Sequence, residues 1–294
     1  MTRLPQVMML PDGRRLHLQD GPIDLIIEAR GGEADVRAAY DAAERRFTGL
    51  LDELCEELPE LRSAADPWRC GLRGRVARRM RDAVAPYASE HFITPMAAVA
   101  GSVAEEILGA MLAAASLDRA YVNNGGDIAL HLAHGEQFTV GLVDRPDRPS
   151  LMGTTVIDSD DPARGIATSG RHGRSFSLGI ADAVTVLART ASQADAAATI
   201  IANAVDLPGH PAVMRRPASD LQPDSDLGAR LVTRDVGALH AGEIALALEA
   251  GADTARKLLA DGLIERAALR LHGERRIVAP QARSRPMMME SVMS

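Results

Sequence analysis

One predicted helix constrains the fold more than any other segment, because one of its faces carries mainly alanine side chains. The segment ADAVTVLART (181–190) is typical of a strand, and SQADAAATIIANAVD (192–206) is typical of a helix that follows it. Alanine occupies positions 194, 196, 197 and 198. These small side chains leave a helix face nearly bare, so something else must come close to it.

The remaining patterns alternate irregularly between strands and helices. Turn signals at Pro11–Gly13 and Asp20–Pro22 predict an antiparallel hairpin or meander at the start of the chain, and 266–280 predicts a closing hairpin. Segments 33–58, 66–88 and 101–116 are predicted helices, and 208–228 is a predicted long loop. We therefore expect an α/β (α+β) fold with a mixed, largely antiparallel sheet and flanking helices, formed as one domain over 1–280 with a flexible tail at 281–294.

Charge and composition exclude several classes of function. The 294 residues carry 40 acidic and 33 basic side chains, a net charge of −7, which argues against a nucleic-acid-binding protein. Cys55 and Cys70 predict free thiols rather than a disulfide framework or a zinc site. No apolar run is long enough for a signal peptide or a membrane span, so we expect a cytoplasmic protein without a membrane partner.

The segment NNGGDI is the first candidate binding site. Gly125 and Gly126 interrupt a predicted strand, where adjacent glycines indicate close approach of the backbone to another group. Asn124 and Asp127 add polar groups beside the gap. The structural alternative is a β-bulge packed against a neighbouring strand.

The segment GIATSGRHGRS (165–175) is the second candidate site. Its glycines, Gly170 among them, can direct consecutive backbone N–H groups toward an anion. Thr168 and Ser169 add hydroxyl donors, and Arg171 and Arg174 add guanidinium donors. His172 is a candidate general base. A polar hairpin turn with a surface histidine remains the alternative.

Asp195 and Thr199 form the third candidate site. They are four residues apart, so they share one helix face and offer two hard oxygen ligands suited to Mg²⁺ bound together with a phosphate. The alternative is structural, because Ser192 and Asp195 also fit a variant capping box at the start of the helix.

The order of these motifs resembles the ApbE-like superfamily, which includes the FAD:protein FMN transferases, and is closest to an uncharacterised cytoplasmic branch. That resemblance covers roughly residues 20–280 and implies a Mg²⁺ site and FAD or FMN as the ligand. It assigns Asp195, Thr199 and a carbonyl near Ala98 to the metal, and it matches Asp182 to a functional aspartate, which makes Asp182 a second candidate catalytic residue.

This sequence departs from the family pattern in the part of the site that would hold the flavin. Gly179 stands where the family has a histidine, Ala100 where it has a lysine, and Glu105 where it has an aspartate. Three hypotheses follow: a Mg²⁺-dependent flavin or nucleotide-diphosphate transferase or hydrolase, a non-catalytic protein that binds such a ligand, and a structural protein. The expected partner is a small, anionic, nucleotide-like ligand, and a homodimer is left open.

Overall fold

The protein is built on one large antiparallel sheet. The computed structural model describes residues 4–66, 68, 71–143 and 151–280. Its main sheet has nine strands in the order β1-β2-β3-β4-β5-β8-β9-β12-β13, and two further hairpins are β6–β7 and β10–β11. The strands are β1 (Gln6–Met9), β2 (Leu16–Asp20), β3 (Ile23–Arg30), β4 (Arg119–Asn124), β5 (Asp127–Leu132), β6 (Gln137–Val143), β7 (Leu151–Asp158), β8 (Gly165–Ser169), β9 (Ala183–Ala188), β10 (Val213–Pro217), β11 (Leu231–Val236), β12 (Arg266–Leu271) and β13 (Glu274–Val278).

The predicted fold class is confirmed, with one refinement of the sheet. Every strand pair in the described residues is antiparallel, so the sheet is not mixed. The predicted opening meander and closing hairpin are β1–β3 and β12–β13. The predicted loop 208–228 instead contains β10 and a short helix, because local Pro and Asp content masks the strand pairing with β11.

Helices cover one face of the sheet. The long helix predicted over 33–58 is broken at Gly49, whose φ of +81° ends α1 before α2 begins. The helices are α1 (Glu33–Phe47), α2 (Leu50–Glu56), α3 (Leu58–Leu61), α4 (Arg75–Val84), α5 (Val99–Ala114), α6 (Ala191–Ala204), α7 (Ala218–Leu221) and α8 (Ala241–Ala260), with 3₁₀ turns at Ala85–Tyr87 and Pro95–Ala98.

Two apolar cores lie between the helices and the sheet. One joins α1, α4 and α5 to β2–β4, and the other joins α6 and α8 to β8, β9 and β12. On the opposite face, the β6–β7 hairpin covers part of the sheet, with Ile157 packed among Leu130, Ile166 and Leu187. Strand alternation therefore assigns each sheet side chain either to the helix face or to the hairpin face.

The alanine-rich helix is α6, and the apolar core of the protein itself covers its bare face. Ala194, Ala196, Ala197 and Ala198 are all fully buried. At Gly101 of α5, an added Cβ would lie 2.3 Å from the Ala191 carbonyl oxygen of α6. Only a residue without a side chain allows the two helices to meet at this distance.

Among the described residues, one helical segment, Pro95–Ala114, has the length and hydropathy that could cross a membrane. Half of its apolar window is buried inside the protein. Because the buried half of α5 packs in the core between the sheet and its neighbouring helices, this composition is weak evidence for a membrane span.

Candidate metal and anion site

The glycine pair forms the turn of a hairpin rather than a bulge. Asn124 pairs with Asp127, so Gly125 and Gly126 are a two-residue loop between β4 and β5, with φ of +66° and +114°. Positive φ at both central positions is the geometry of a type I′ turn, which favours glycine. The Gly126 N–H donates to Asn123 Oδ1 at 2.8 Å and helps to fix the turn.

The turn presents Asn124 and Asp127 to the helices. These paired residues share the face that carries the buried side chains of β4. Asn124 Nδ2 donates to the Ala100 carbonyl at the start of α5, over 3.2 Å. Asp127 Oδ1 accepts from the Thr168 backbone N–H of β8, also at 3.2 Å. The turn, β8 and α5 are thereby connected around one carboxylate.

Asp195 enters the same region from α6. Its Oδ2 accepts from the Gly101 N–H at 3.0 Å, and the Ala100 N–H also donates to its carboxylate. These N–H groups belong to the first turn of α5, where helices leave backbone donors unsatisfied and favour negative charge. Asp195 therefore does not cap its own helix. Thr190 caps α6, by accepting from the Gln193 N–H at 3.3 Å.

The two aspartates raise the energy of each other's charged form. Burial raises the pKa of Asp127 to about 7, although the Thr168 N–H and the charge of Arg174 oppose the shift. Burial, together with the charge of Asp127, raises the pKa of Asp195 well above its usual range. In the parts of the chain that the structure describes, neither carboxylate forms an ion pair with Arg or Lys. A proton or a cation is needed to offset this repulsion.

Oxygen donors close to Asp195 in the chain and at the start of α5 would suit a hard cation that keeps part of its water shell. Thr199 lies one helical turn beyond Asp195 and is partly accessible, and Ala98 directly precedes α5. No group of three or more His, Cys, Asp or Glu that could hold a metal occurs in the described residues. Mg²⁺ commonly uses only one or two protein carboxylates, with water and phosphate oxygens completing its octahedron, so this donor set fits it.

In the second candidate segment (165–175), neighbouring side chains of β8 point to opposite faces of the sheet. Thr168 Oγ1 lies 2.9 Å from Thr185 Oγ1, and alternation along β8 places both hydroxyls on the hairpin face. Only the backbone N–H of Thr168 reaches Asp127. Ser169, the next residue, is on the helix face and partly accessible. The hydroxyl of Thr168 is therefore not directed into the site as we had expected.

Glycines 165 and 170 have packing roles. A Cβ on Gly165 would lie 2.1 Å from the Thr190 carbonyl oxygen, and one on Gly170 would lie 2.6 Å from the Asp182 carbonyl oxygen. Each glycine allows close contact between backbones, which accounts for it without a ligand. No contact among the described residues supports the expectation that these two glycines form an anion-binding nest.

Arg171, His172 and Asp182 form a separate polar cluster. Asp182 Oδ1 accepts from Arg171 Nε and Nη2 at 2.9 and 2.7 Å, and His172 Nε2 lies 3.4 Å from the same oxygen. Asp182 Oδ2 accepts from the His272 N–H at 2.6 Å. Because both carboxylate oxygens are engaged, Asp182 is poorly arranged to act as a general base, and Arg171 already has an anionic partner.

Arg174 is the guanidinium that lies at the glycine turn. It donates to the Pro22 carbonyl at 2.8 Å and lines a shallow cavity of about 310 Å³ together with Asp24, Ile26, Asn123 and the two turn glycines. Its charge also acts on Asp127. The cavity adjoins the turn but is not lined by Asp127 or Asp195. The sequence offers both Arg171 and Arg174 as anion donors, and the geometry favours Arg174.

The chain is similar to several known proteins. The chain is 37% identical to a UPF0280 protein of Methanopyrus kandleri over 61% of this chain and 69% of that protein. It is 37% identical to a UPF0280 protein of Archaeoglobus fulgidus over 50% of this chain, spanning 57% of that relative's length. Among solved structures, the flavinyl transferase ApbE of Pseudomonas stutzeri aligns over 93% of this chain and 94% of its own, with 11% identity and a TM-score of 0.46.

A second solved structure, a variant of the flavin transferase ApbE of Vibrio cholerae, aligns over 94% of this chain and 96% of its own, with 12% identity and a TM-score of 0.47. The family model described as AbpE bacteria matches residues 7–277, which is nearly the whole described chain. The chain belongs to that family, as its motif order had indicated.

Proposed function

We propose that this protein binds Mg²⁺ together with a flavin or another nucleotide diphosphate at the site formed by Asp127 and Asp195, and cleaves or transfers the ligand at its phosphate. The observation that carries the proposal is the position of two carboxylates from different elements. Asp195 of α6 accepts from the first turn of α5, and Asp127 of β5 is near enough for its charge to raise the pKa of Asp195. A fold rarely keeps two like charges together without a counter-charge, and a divalent cation supplies one.

Different residues would bind the cation and the phosphate oxygens. Asp195, Thr199 and the carbonyl of Ala98 would hold the cation, with Asp127 facing Asp195. Arg174 and the backbone of the Gly125–Gly126 turn would bind phosphate oxygens in the adjoining cavity, which neither aspartate lines. A bound divalent cation would neutralise charge that develops on phosphate oxygens as a bond to phosphorus breaks. The protein's own contribution is to position these groups and to restrict water around them.

A non-catalytic binding protein is the second candidate, and one observation favours it. His172 and Asp182, the candidate bases, are held in the cluster with Arg171, and Ala100 has no ionisable group to replace them. The same Asp127–Asp195 site would then bind the ligand without accelerating its cleavage.

Binding is tested by thermal shift and calorimetry with FAD, FMN and ADP, each with and without Mg²⁺. We expect Mg²⁺ and ligand together to raise the melting temperature more than either alone, since both stabilise the folded state. Asp195→Asn should remove the Mg²⁺-dependent part. The matched control is Asp253→Asn, on the exposed face of α8, where the carboxylate is 70% exposed. A binding isotherm unchanged in Asp195→Asn would reject the metal site.

Catalysis is tested separately, by chromatography of FAD incubated with the protein and Mg²⁺. Formation of FMN that requires Asp195 would support the enzyme. Ligand binding that depends on Asp195, with FAD intact after long incubation, would support the binding protein instead.

A further inference from the structure

Helices α5 and α6 each satisfy the backbone of the other at its first turn. Asp195 of α6 accepts from the Gly101 N–H of α5 at 3.0 Å. In the opposite direction, Glu105 Oε1 of α5 accepts from the Ser192 N–H of α6 at 2.6 Å. Two helix starts that pack against each other are therefore linked by two carboxylates, one from each helix.

Glu105 has a second partner that fixes its side chain. Its Oε2 lies 3.1 Å from Nε of Arg79, on α4, and the carboxylate is mostly buried. Arg79 in turn contacts Glu106, the neighbouring residue of α5, at 3.0 Å, and donates to the Ser102 carbonyl. Arg79, which fixes the acceptor for the Ser192 N–H, is thus itself held by contacts with Glu105, Glu106 and Ser102, and the Glu105 carboxylate has little freedom to rotate.

We infer that Glu105 is a positioning residue, which sets the location of Asp195 by tying the first turn of α6 to α5. Glu105 bonds the residue three positions before Asp195, and Gly101 lies between Ala191 and the Asp195 carboxylate. Movement of this turn would therefore change the Asp195–Gly101 contact directly. The inference rests on the proposed function only for its effect on ligand binding, because the coupling between the two contacts exists without a ligand.

The direct test is amide hydrogen exchange, measured by NMR on the full chain without ligand. Glu105→Ala should accelerate exchange at Ser192 and also at Gly101, each by about tenfold, the size expected for losing a hydrogen bond to a charged acceptor. Glu105→Gln keeps an oxygen for the Ser192 N–H but loses the charge. Glu105→Gln should restore most of the protection from exchange at the Ser192 and Gly101 amides. It also keeps the test decisive if the alanine variant does not fold.

Thr190→Ala is the matched control. Thr190 caps the same first turn of α6, through Gln193, but makes no hydrogen bond to α5. It should accelerate exchange near Gln193 and leave Gly101 within about twofold of wild type. Equal acceleration at Gly101 in Thr190→Ala and Glu105→Ala would show general fraying of α6 and would overturn the inference. So would acceleration at Ser192 alone in Glu105→Ala.

Titration with Mg²⁺ at a fixed ADP concentration gives the functional readout. Glu105→Ala should weaken the apparent Mg²⁺ affinity by about tenfold, and Thr190→Ala should not change it. If wild-type protein binds neither Mg²⁺ nor ADP, the proposed function fails while the exchange data still decide the role of Glu105. If wild-type protein binds and Glu105→Ala binds equally well, the positioning role is wrong.

Discussion

Gly101→Ala is expected to destabilise the protein, although alanine is the better helix former. An added Cβ would lie 2.3 Å from the Ala191 carbonyl oxygen, about 1 Å inside the 3.4 Å at which ordinary contact begins. The neighbouring atoms are backbone of α6, so they cannot rotate away. Overpacking of a core costs about 1–3 kcal/mol, and loss of the Gly101–Asp195 hydrogen bond adds about 1 kcal/mol or more. The gain in helix propensity, up to about 1 kcal/mol, offsets only part of this.

Gly109 provides the comparison within the same helix. It is exposed, and a Cβ there would meet nothing within 4 Å. Gly109→Ala should therefore stabilise the protein by about 0.5–1 kcal/mol. We expect urea unfolding to show a lower midpoint for Gly101→Ala and a higher midpoint for Gly109→Ala, with similar slopes. If Gly101→Ala is as stable as Gly109→Ala, α5 and α6 do not approach as described, and the geometry around Asp195 must be different.

Three further predictions follow from individual side chains. Asp127 ionises near pH 4 in the unfolded chain while the folded site keeps its proton, so metal-free stability should fall from about pH 4 to about pH 7. Asp127→Asn should reduce that slope in pH-dependent melting, and the raised pKa of Asp195 accounts for the part that remains. The apparent Mg²⁺ affinity, measured by calorimetry, should rise with pH over this range, because the cation competes with the protons of both aspartates. Tyr40→Phe should lower the free energy of unfolding by about 1–2 kcal/mol in urea melts, because the Tyr40 hydroxyl accepts from the Ala29 N–H at 3.1 Å and donates to the Arg14 carbonyl at 2.5 Å, and unchanged stability would contradict these contacts.

Much of the fold is predictable because its signals are local. Turn residues and alternating burial identify the β1–β3 meander and the β12–β13 hairpin, and the helical periods of α5, α6 and α8 are plain in the sequence. The β10 strand was missed because Val213–Pro217 includes two arginines and a proline, and its identity depends on pairing with β11 across intervening chain. Cys70 and the tail 281–294 lie outside the described residues, and the boundaries of the domain remain a prediction.

The sequence predicts the candidate site only where the residues that form it lie together in one helix or one turn. Asp195 and Thr199 are marked by their spacing and by the alanines around them, and the glycine turn is marked by composition. The packing roles of Gly165 and Gly170 could not be inferred, because the backbone that each one contacts comes from a later part of the chain. Glu105 was visible as a charge within an apolar helix, yet its partner Ser192 is far away in sequence.

The Asp195 carboxylate contributes both to the stability of the α5–α6 contact and to the proposed metal site. An apolar residue at position 195 would remove the repulsion with Asp127, but it would leave the Gly101 N–H without an acceptor at the buried start of α5. An asparagine would keep the acceptor and remove the charge, so hydrogen bonding alone does not require an aspartate. The charge of Asp195 is therefore not required for these hydrogen bonds, and its remaining contribution to the fold is its interaction with the start of α5. A cation or a proton must balance it, and the same aspartate that caps α5 is the residue best placed to bind that cation.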